Sequence, residues 1–218
     1  AFNNESIDYV DMAAWSAKNI QRHLGIPVSL VTDVTVNLDI FDQIIYTAVE
    51  QSTNTRHFAD VGTVTWHNLN RMDSYTLTPY NQTLVLDADY VVASDQLKTL
   101  LDSDQEFLAH RYAYDVTDKN NFIGLNWFGN LKTPQWWATV IMFKKTTTAG
   151  FIFDSMKMIR ANWQHYRDLY GIDSLTYRND YALSIALGIV SGRTLQVDAI
   201  SWPMPSLLPN TEIKLLYN

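Results

Sequence analysis

Thr83 to Val92 reads TLVLDADYVV, an apolar run that passes without a break into Asp87-Ala88-Asp89. Leu84, Val85 and Leu86 have the pattern of a buried strand. A strand that delivers two carboxylates one residue apart at its carboxyl end suits a divalent cation, because oxygen ligands must converge on one hard cation from a backbone that stays put. A bare Asp-x-Asp also occurs at solvated strand ends and turns of acidic proteins. The apolar run before this one, and Tyr90, Val91 and Val92 after it, place these carboxylates at a sheet edge.

Composition narrows the classes around that motif. The chain has 218 residues, 47% hydrophobic and 18% charged, enough to bury a full core as one domain or a tightly joined pair. Its net charge of -7 argues against tracking a phosphate backbone, which needs clustered Lys and Arg, so duplex nucleic acid is not an expected partner. There is no cysteine, which removes disulfides and thiolate metal sites and fits a reducing compartment. No run of about 18 apolar residues occurs and no signal-peptide pattern is seen, so a soluble, cytoplasmic protein is expected. The first residue is Ala1, and a strand that ends at Ala1-Phe2-Asn3 could begin upstream of it.

Along the chain, strand and helix signals alternate. Tyr9, Met12, Ala13, Ile20 and Leu24 make a helical stripe over residues 8–24 that stops at Gly25 with Pro27 just beyond. Val28 to Asp33 is a short apolar run closed by a carboxylate, the pattern of a parallel strand. Phe41 to Tyr46 is a further apolar segment, strand or helix. Residues 53–72 are polar and aromatic without a clear period, and are expected as a mobile loop over the site. Ser94 begins a candidate helix through Leu101. Phe107 to Tyr114 and Trp136 to Phe143 are expected strands, and Asp154 to Tyr170 and Asn179 to Val190 expected helices. A Pro-rich tail follows, with Pro203, Pro205 and Pro209. This interleaving favours α/β with a mostly parallel sheet.

Several segments together resemble one enzyme family. Asp87-Ala88-Asp89 looks like the Asp-x-Asp motif of nucleotide-sugar glycosyltransferases. Ala1-Phe2-Asn3-Asn4, then Tyr9 opening a helix with Ala17-Lys18-Asn19-Ile20, then a strand ending Val31-Thr32-Asp33, is similar to the start of glycogenin-like and bacterial lipopolysaccharide galactosyltransferase-like enzymes of the GT-A fold. Arg71, followed by Tyr75 and Leu77-Thr78-Pro79-Tyr80, resembles the arginine that reaches the donor there. Trp137-Ala138-Thr139-Val140-Ile141-Met142 sits where that family has Asn-(Ser/Ala)-Gly-Val, and Arg178-Asn179-Asp180-Tyr181 where it has Asp-Gln-Asp. The resemblance spans nearly the whole chain and extends to small glycosyltransferase-like proteins of tailed phages.

The resemblance implies a single α/β GT-A (Rossmann-like) domain over residues 1–218, with a mostly parallel central sheet flanked by helices. Residues 1–92 would form the nucleotide-binding half and 93–218 the acceptor side. It implies a metal-dependent transfer of sugar from a nucleotide-diphosphate donor, a UDP-sugar such as UDP-glucose, to an acceptor that leaves no mark in the sequence. Asp87 and Asp89 would hold Mn²⁺ or Mg²⁺, with Ala88 between them. Ala1, Phe2, Asn3, Tyr9 and Asp33 would hold the nucleoside, Arg71 would engage the diphosphate or sugar, and Asn179 and Asp180 would stand next to the chemistry. For a phage protein the location would be the infected bacterial cytoplasm.

The chain also departs from that family. The family's late metal-binding His has no counterpart, since no His follows Ser191. The third ligand is then water, another carboxylate such as Asp198, or a group outside the chain. Each residue also has a plainer role open to it. Asp33 can solvate a strand end, Arg71 can form a surface ion pair, and Asp180 can cap a helix. The seven Trp can be core, or one or two can line a sugar cleft. A non-catalytic carbohydrate- or nucleotide-binding protein of the same fold and a metal-dependent nucleotidyltransferase are the alternatives.

Overall fold

The computed structural model describes residues 1–3, 7–48, 54–58, 62–67, 69–116, 127–192 and 198–206. The first helix, α1 (Tyr9–Leu24), has both ends set by local chemistry. The Asp8 carboxylate accepts from the amides of Val10 and Asp11 at 3.0 Å each, satisfying donors that the first turn leaves open. Gly25, at φ 68°, closes the other end in the left-handed conformation that a Cβ disfavours. Val10, Ala14, Ala17, Ile20 and Leu24 recur every three or four residues and are buried.

Next in order come β1 (Ser29–Thr32), β2 (Gln43–Tyr46), β3 (Asn54–Phe58), β4 (Gly62–Trp66), a 3-10 turn (Leu69–Asp73), α2 (Ser74–Leu77), β5 (Gln82–Leu86) and α3 (Lys98–Leu101). The second half contains β6 (Phe107–His110), β7 (Ala113–Asp115), β8 (Trp127–Phe128), β9 (Thr133–Pro134), β10 (Trp137–Lys144), α4 (Thr147–Ala161), α5 (Trp163–Tyr170), α6 (Asn179–Val190), β11 (Ala199–Ile200) and β12 (Met204–Ser206).

The class is α/β, but the central sheet is small and mixed, in the order β11-β6-β10-β5. β10 runs antiparallel to both β5 and β6, and only β11 and β6 are parallel. A mostly parallel sheet was expected because strand and helix signals alternate. Among the described residues, however, no helix lies between β6 and β10, so no helical crossover brings the chain back parallel, and β10 reverses direction beside β6. β1 and β2 form a separate parallel pair, as do β7 and β12.

Other expectations change in detail. The loop expected over residues 53–72 contains an antiparallel hairpin, β3 with β4, and then the 3-10 turn; residues 53, 59–61 and 68 lie outside the described residues, as does Pro209 of the tail. The strand expected from Phe107 to Tyr114 divides into β6 and β7. There the Arg111 guanidinium lies over the Trp136 ring at 5.0 Å and the Trp127 ring at 5.7 Å, and donates to the Gln135 carbonyl at 2.9 Å. The helix expected over residues 154–170 begins earlier and divides at Asn162, whose φ of -120° and ψ of 37° leave the helical region. The helix expected from Ser94 shrinks to one turn, α3.

The core lies where α4 and α6 cover β10. Val140, Ile141, Met142 and Phe143 have no exposed surface, and the Phe143 and Phe153 rings meet edge to face with centroids 4.8 Å apart. A second cluster joins Ile20 and Leu24 of α1 to Leu108, Val140, Met142 and Ile200. Among the described residues no helix is long and apolar enough to cross a membrane.

Candidate active site at the carboxyl end of β5

β5 ends at Leu86, and the chain turns at once. The Asp87 amide donates to the Thr139 carbonyl of β10 at 3.2 Å, and the Asp87 carbonyl accepts from Tyr90 N–H at 3.0 Å. The first bond continues the β5–β10 ladder by one residue, and the second closes a turn over Ala88 and Asp89. Ser16 of α1 donates to the Tyr90 carbonyl at 3.0 Å and fixes the far side of that turn. The two carboxylates are therefore held by a sheet on one side and a helix on the other.

Arg71 meets them from the 3-10 turn. Its guanidinium forms an ion pair with the Asp87 carboxylate and donates to the carbonyl of Ala138. The Arg71 side chain keeps 11% of its exposure and Asp87 keeps 34%, so this pair is far drier than an exposed one. Burial pulls the guanidinium below its usual range, and the nearby charges of Asp180, Asp89 and Tyr177 oppose that shift.

Asp180 stands on the other side of Ala138. Its Oδ1 accepts from the Ala138 amide at 2.9 Å, and its Oδ2 accepts from Arg178 at 2.6 and 3.2 Å. The α6 cap position is Arg178, which makes no side-chain cap bond, so Asp180 does not act as a helix cap. Ala138 thus gives its carbonyl to Arg71 and its amide to Asp180, joining the two halves of the site through the backbone of one residue. The neighbouring Asn179 is buried and accepts from the Tyr177 hydroxyl at 3.3 Å. Burial raises the Tyr177 hydroxyl well above its ordinary range, so it serves as a neutral donor.

A cavity of about 610 Å³ opens beside these groups. Of the residues expected in the site, Ala1, Phe2, Tyr9, Arg71, Asp87, Ala88 and Asp89 line it. Asn3, Asp33, Asn179 and Asp180 do not. The Asn3 side chain accepts from the Val10 amide at 3.0 Å, at the start of α1. Asp33 is exposed in the bend after β1, within electrostatic reach of Ala1, as is Arg71.

Ala138 stood in the sequence only as part of the 137–142 segment, and its own role was hidden because it acts through its backbone. His67 and Asn70 also line the cavity. His67 carried a signal, standing next to Trp66 in the segment expected over the site; Asn70 carried none.

Among the described residues no three His, Asp or Glu side chains converge as a ready-made metal cage. Asp87 and Asp89 nevertheless fit a cation of the kind that binds one or two protein carboxylates and completes its shell with water and substrate phosphates. The guanidinium at Asp87 shows that this carboxylate already accommodates a cationic partner. Compared with models of protein families, with curated proteins and with solved structures, the chain matches none of them.

Proposed function

We propose that the chain is a glycosyltransferase of the GT-A type that transfers a sugar from a nucleotide-diphosphate donor, a UDP-sugar, with the help of Mn²⁺ or Mg²⁺. The observation that carries this reading is the convergence of Asp87, Asp89 and the buried Arg71 on a cavity also lined by Ala1, Phe2 and Tyr9. Two carboxylates alone would repel a diphosphate, and Arg71 alone only balances Asp87. Asp87 and Asp89 would hold the metal, which supplies charge neutralisation to the departing nucleotide diphosphate.

The chain's own residues do the rest. Arg71 carries a fixed positive charge to the same cavity, because an arginine stays protonated in proteins. Phe2 and Tyr9 offer flat apolar surface for a nucleoside. Asp180, fixed by Ala138 and Arg178, supplies a carboxylate on the acceptor side of Arg71.

The ion pair between Arg71 and Asp87 also favours a second reading, a non-catalytic nucleotide-binding protein, since an internal cation already balances the first carboxylate. Turnover separates the two. Incubation of UDP-glucose with Mn²⁺ and purified protein should release UDP and glucose slowly, water taking the acceptor's place, and Asp89→Ala should abolish the release. Donor that binds but stays intact under every metal condition leaves the binding protein as the correct reading.

A further inference from the structure

Arg71 is anchored at its backbone, and its guanidinium is divided between two partners. The Arg71 carbonyl accepts from the Ser74 hydroxyl at 2.7 Å, and the next residue, Met72, is buried in the core. One terminal nitrogen of the guanidinium meets Oδ1 of Asp87, and the other donates to the Ala138 carbonyl. Arg71, Asp87 and Asp89 all line the cavity, so the ion pair can part without either group leaving it.

The surrounding charges explain why the pair forms. Asp180 has a cation of its own, since Arg178 donates to its Oδ2 at 2.6 and 3.2 Å. The positive charge of Arg71 is therefore left for Asp87. A half-dry carboxylate without a countercharge is costly, so the guanidinium stabilises the site when no metal is bound.

The same contact opposes a metal. A divalent cation on Asp87 and Asp89 needs an Asp87 oxygen, and there it would meet a guanidinium of the same sign. Arg71 keeps only 11% of its side-chain exposure, so water screens that repulsion poorly. A diphosphate offers the way out. Its oxygens accept from a guanidinium in paired bonds, which gives Arg71 a second anionic partner.

We infer that Arg71 is a built-in counter-ion that competes with the divalent cation for Asp87, and that a diphosphate relieves the competition by drawing the guanidinium onto its own oxygens. The bond to the Ala138 carbonyl is the pivot of that exchange, since it holds one terminal nitrogen while the other changes partner. Metal and diphosphate are then taken up together, and each raises the affinity for the other by the same factor. The inference rests on the proposed metal and diphosphate site and adds to it a self-neutralised resting state that neither ligand opens well alone.

The test uses Arg71→Gln, which removes the charge and keeps a donor for the Ala138 carbonyl. Mn²⁺ binding without nucleotide is read from the loss of the free ion's electron paramagnetic resonance signal. Arg71→Gln should bind Mn²⁺ about tenfold more tightly than the parent, or better, because the competing cation is gone. In the parent chain, the Arg71 Nε–H resonance should move when Mg²⁺ and UDP are added together, and move less with either one alone at the same concentration. Equal Mn²⁺ affinity in a folded Arg71→Gln would overturn the inference and leave the glycosyltransferase reading standing. Where that variant does not fold, the resonance decides: no movement, or as full a movement with Mg²⁺ alone as with Mg²⁺ and UDP, overturns it equally. Tighter Mn²⁺ binding by Arg71→Gln, in a protein whose parent never cleaves UDP-glucose, would uphold the inference and overturn the reading. Mn²⁺ binding to neither protein would overturn both.

Discussion

β10 and β5 are hydrogen-bonded neighbours with similar apolar sequences, yet they meet different fates. Val140, Ile141, Met142 and Phe143 of β10 are completely buried, while every residue of β5 from Gln82 to Leu86 keeps part of its surface. The cause is the far edge. β10 has a strand on each side and α4 and α6 across it, whereas β5 borders the cavity that separates it from β1. The tightest packing therefore lies at β10 and the candidate chemistry along the cavity, which Asp87, Asp89 and Arg71 line.

That contrast can be broken most strongly by truncating one residue on each side. Phe153→Ala should destabilise the protein by about 3–5 kcal/mol, because a fully buried ring leaves a cavity in an unyielding core. Leu84→Ala, at a side chain that lines the cavity, should cost only about 1–2 kcal/mol, since a partly exposed side chain loses less on removal. Urea unfolding of both variants gives the comparison, and equal losses would mean that the β5 side is as tightly packed as the β10 side.

His110 sharpens the packed side through pH. It is fully buried on β6, donates Nδ1–H to the Trp202 carbonyl at 3.0 Å, and burial lowers its pKa from 6.5 to about 4. The unfolded chain therefore takes up this proton first as pH falls. The contribution of neutral His110 is complete above about pH 6.5, declines as pH drops toward 4, and changes no further below that. The full loss is on the order of 3 kcal/mol. Urea midpoints measured between pH 7 and pH 4 should show this slope, and His110→Gln should flatten it.

The two motif carboxylates should separate by a smaller amount. Asp87 balances the buried Arg71, so Asp87→Ala leaves a poorly solvated cation and should cost about 1–3 kcal/mol. Asp89 is exposed, and Asp89→Ala should stay within about 0.5 kcal/mol of the parent. Melting of the two variants without metal provides the check, and equal stability would mean that the ion pair contributes nothing.

Legibility in the sequence follows the same division. α1 and α6 could be read closely, because Asp8 and Gly25 bound the first and Ala182, Leu183, Ile185, Ala186 and Leu187 fill the second. β5 and β10 were equally plain from their apolar runs. The break at Asn162 was hidden because the helical stripe continues across it. The division of β6 from β7 was hidden because it depends on Arg111 meeting Trp127 and Trp136 from distant segments. The hairpin of β3 and β4 lacks the short Asn-Gly type of turn that marks a hairpin in sequence. At the site, the carboxylate pair was legible because spacing alone suggests it. The partnership of Arg71 with Asp87, and the double use of the Ala138 backbone, depend on contacts that no local pattern encodes.

Whether the carboxylate pair and Arg71 form a nucleotide-sugar site is tested most directly by calorimetric titration of uridine diphosphate with and without Mn²⁺. The two carboxylates should repel the diphosphate until a divalent cation lies between them, so binding should be strong with Mn²⁺ and weakened at least about tenfold by chelator. Equal affinity in both conditions would contradict the proposed site.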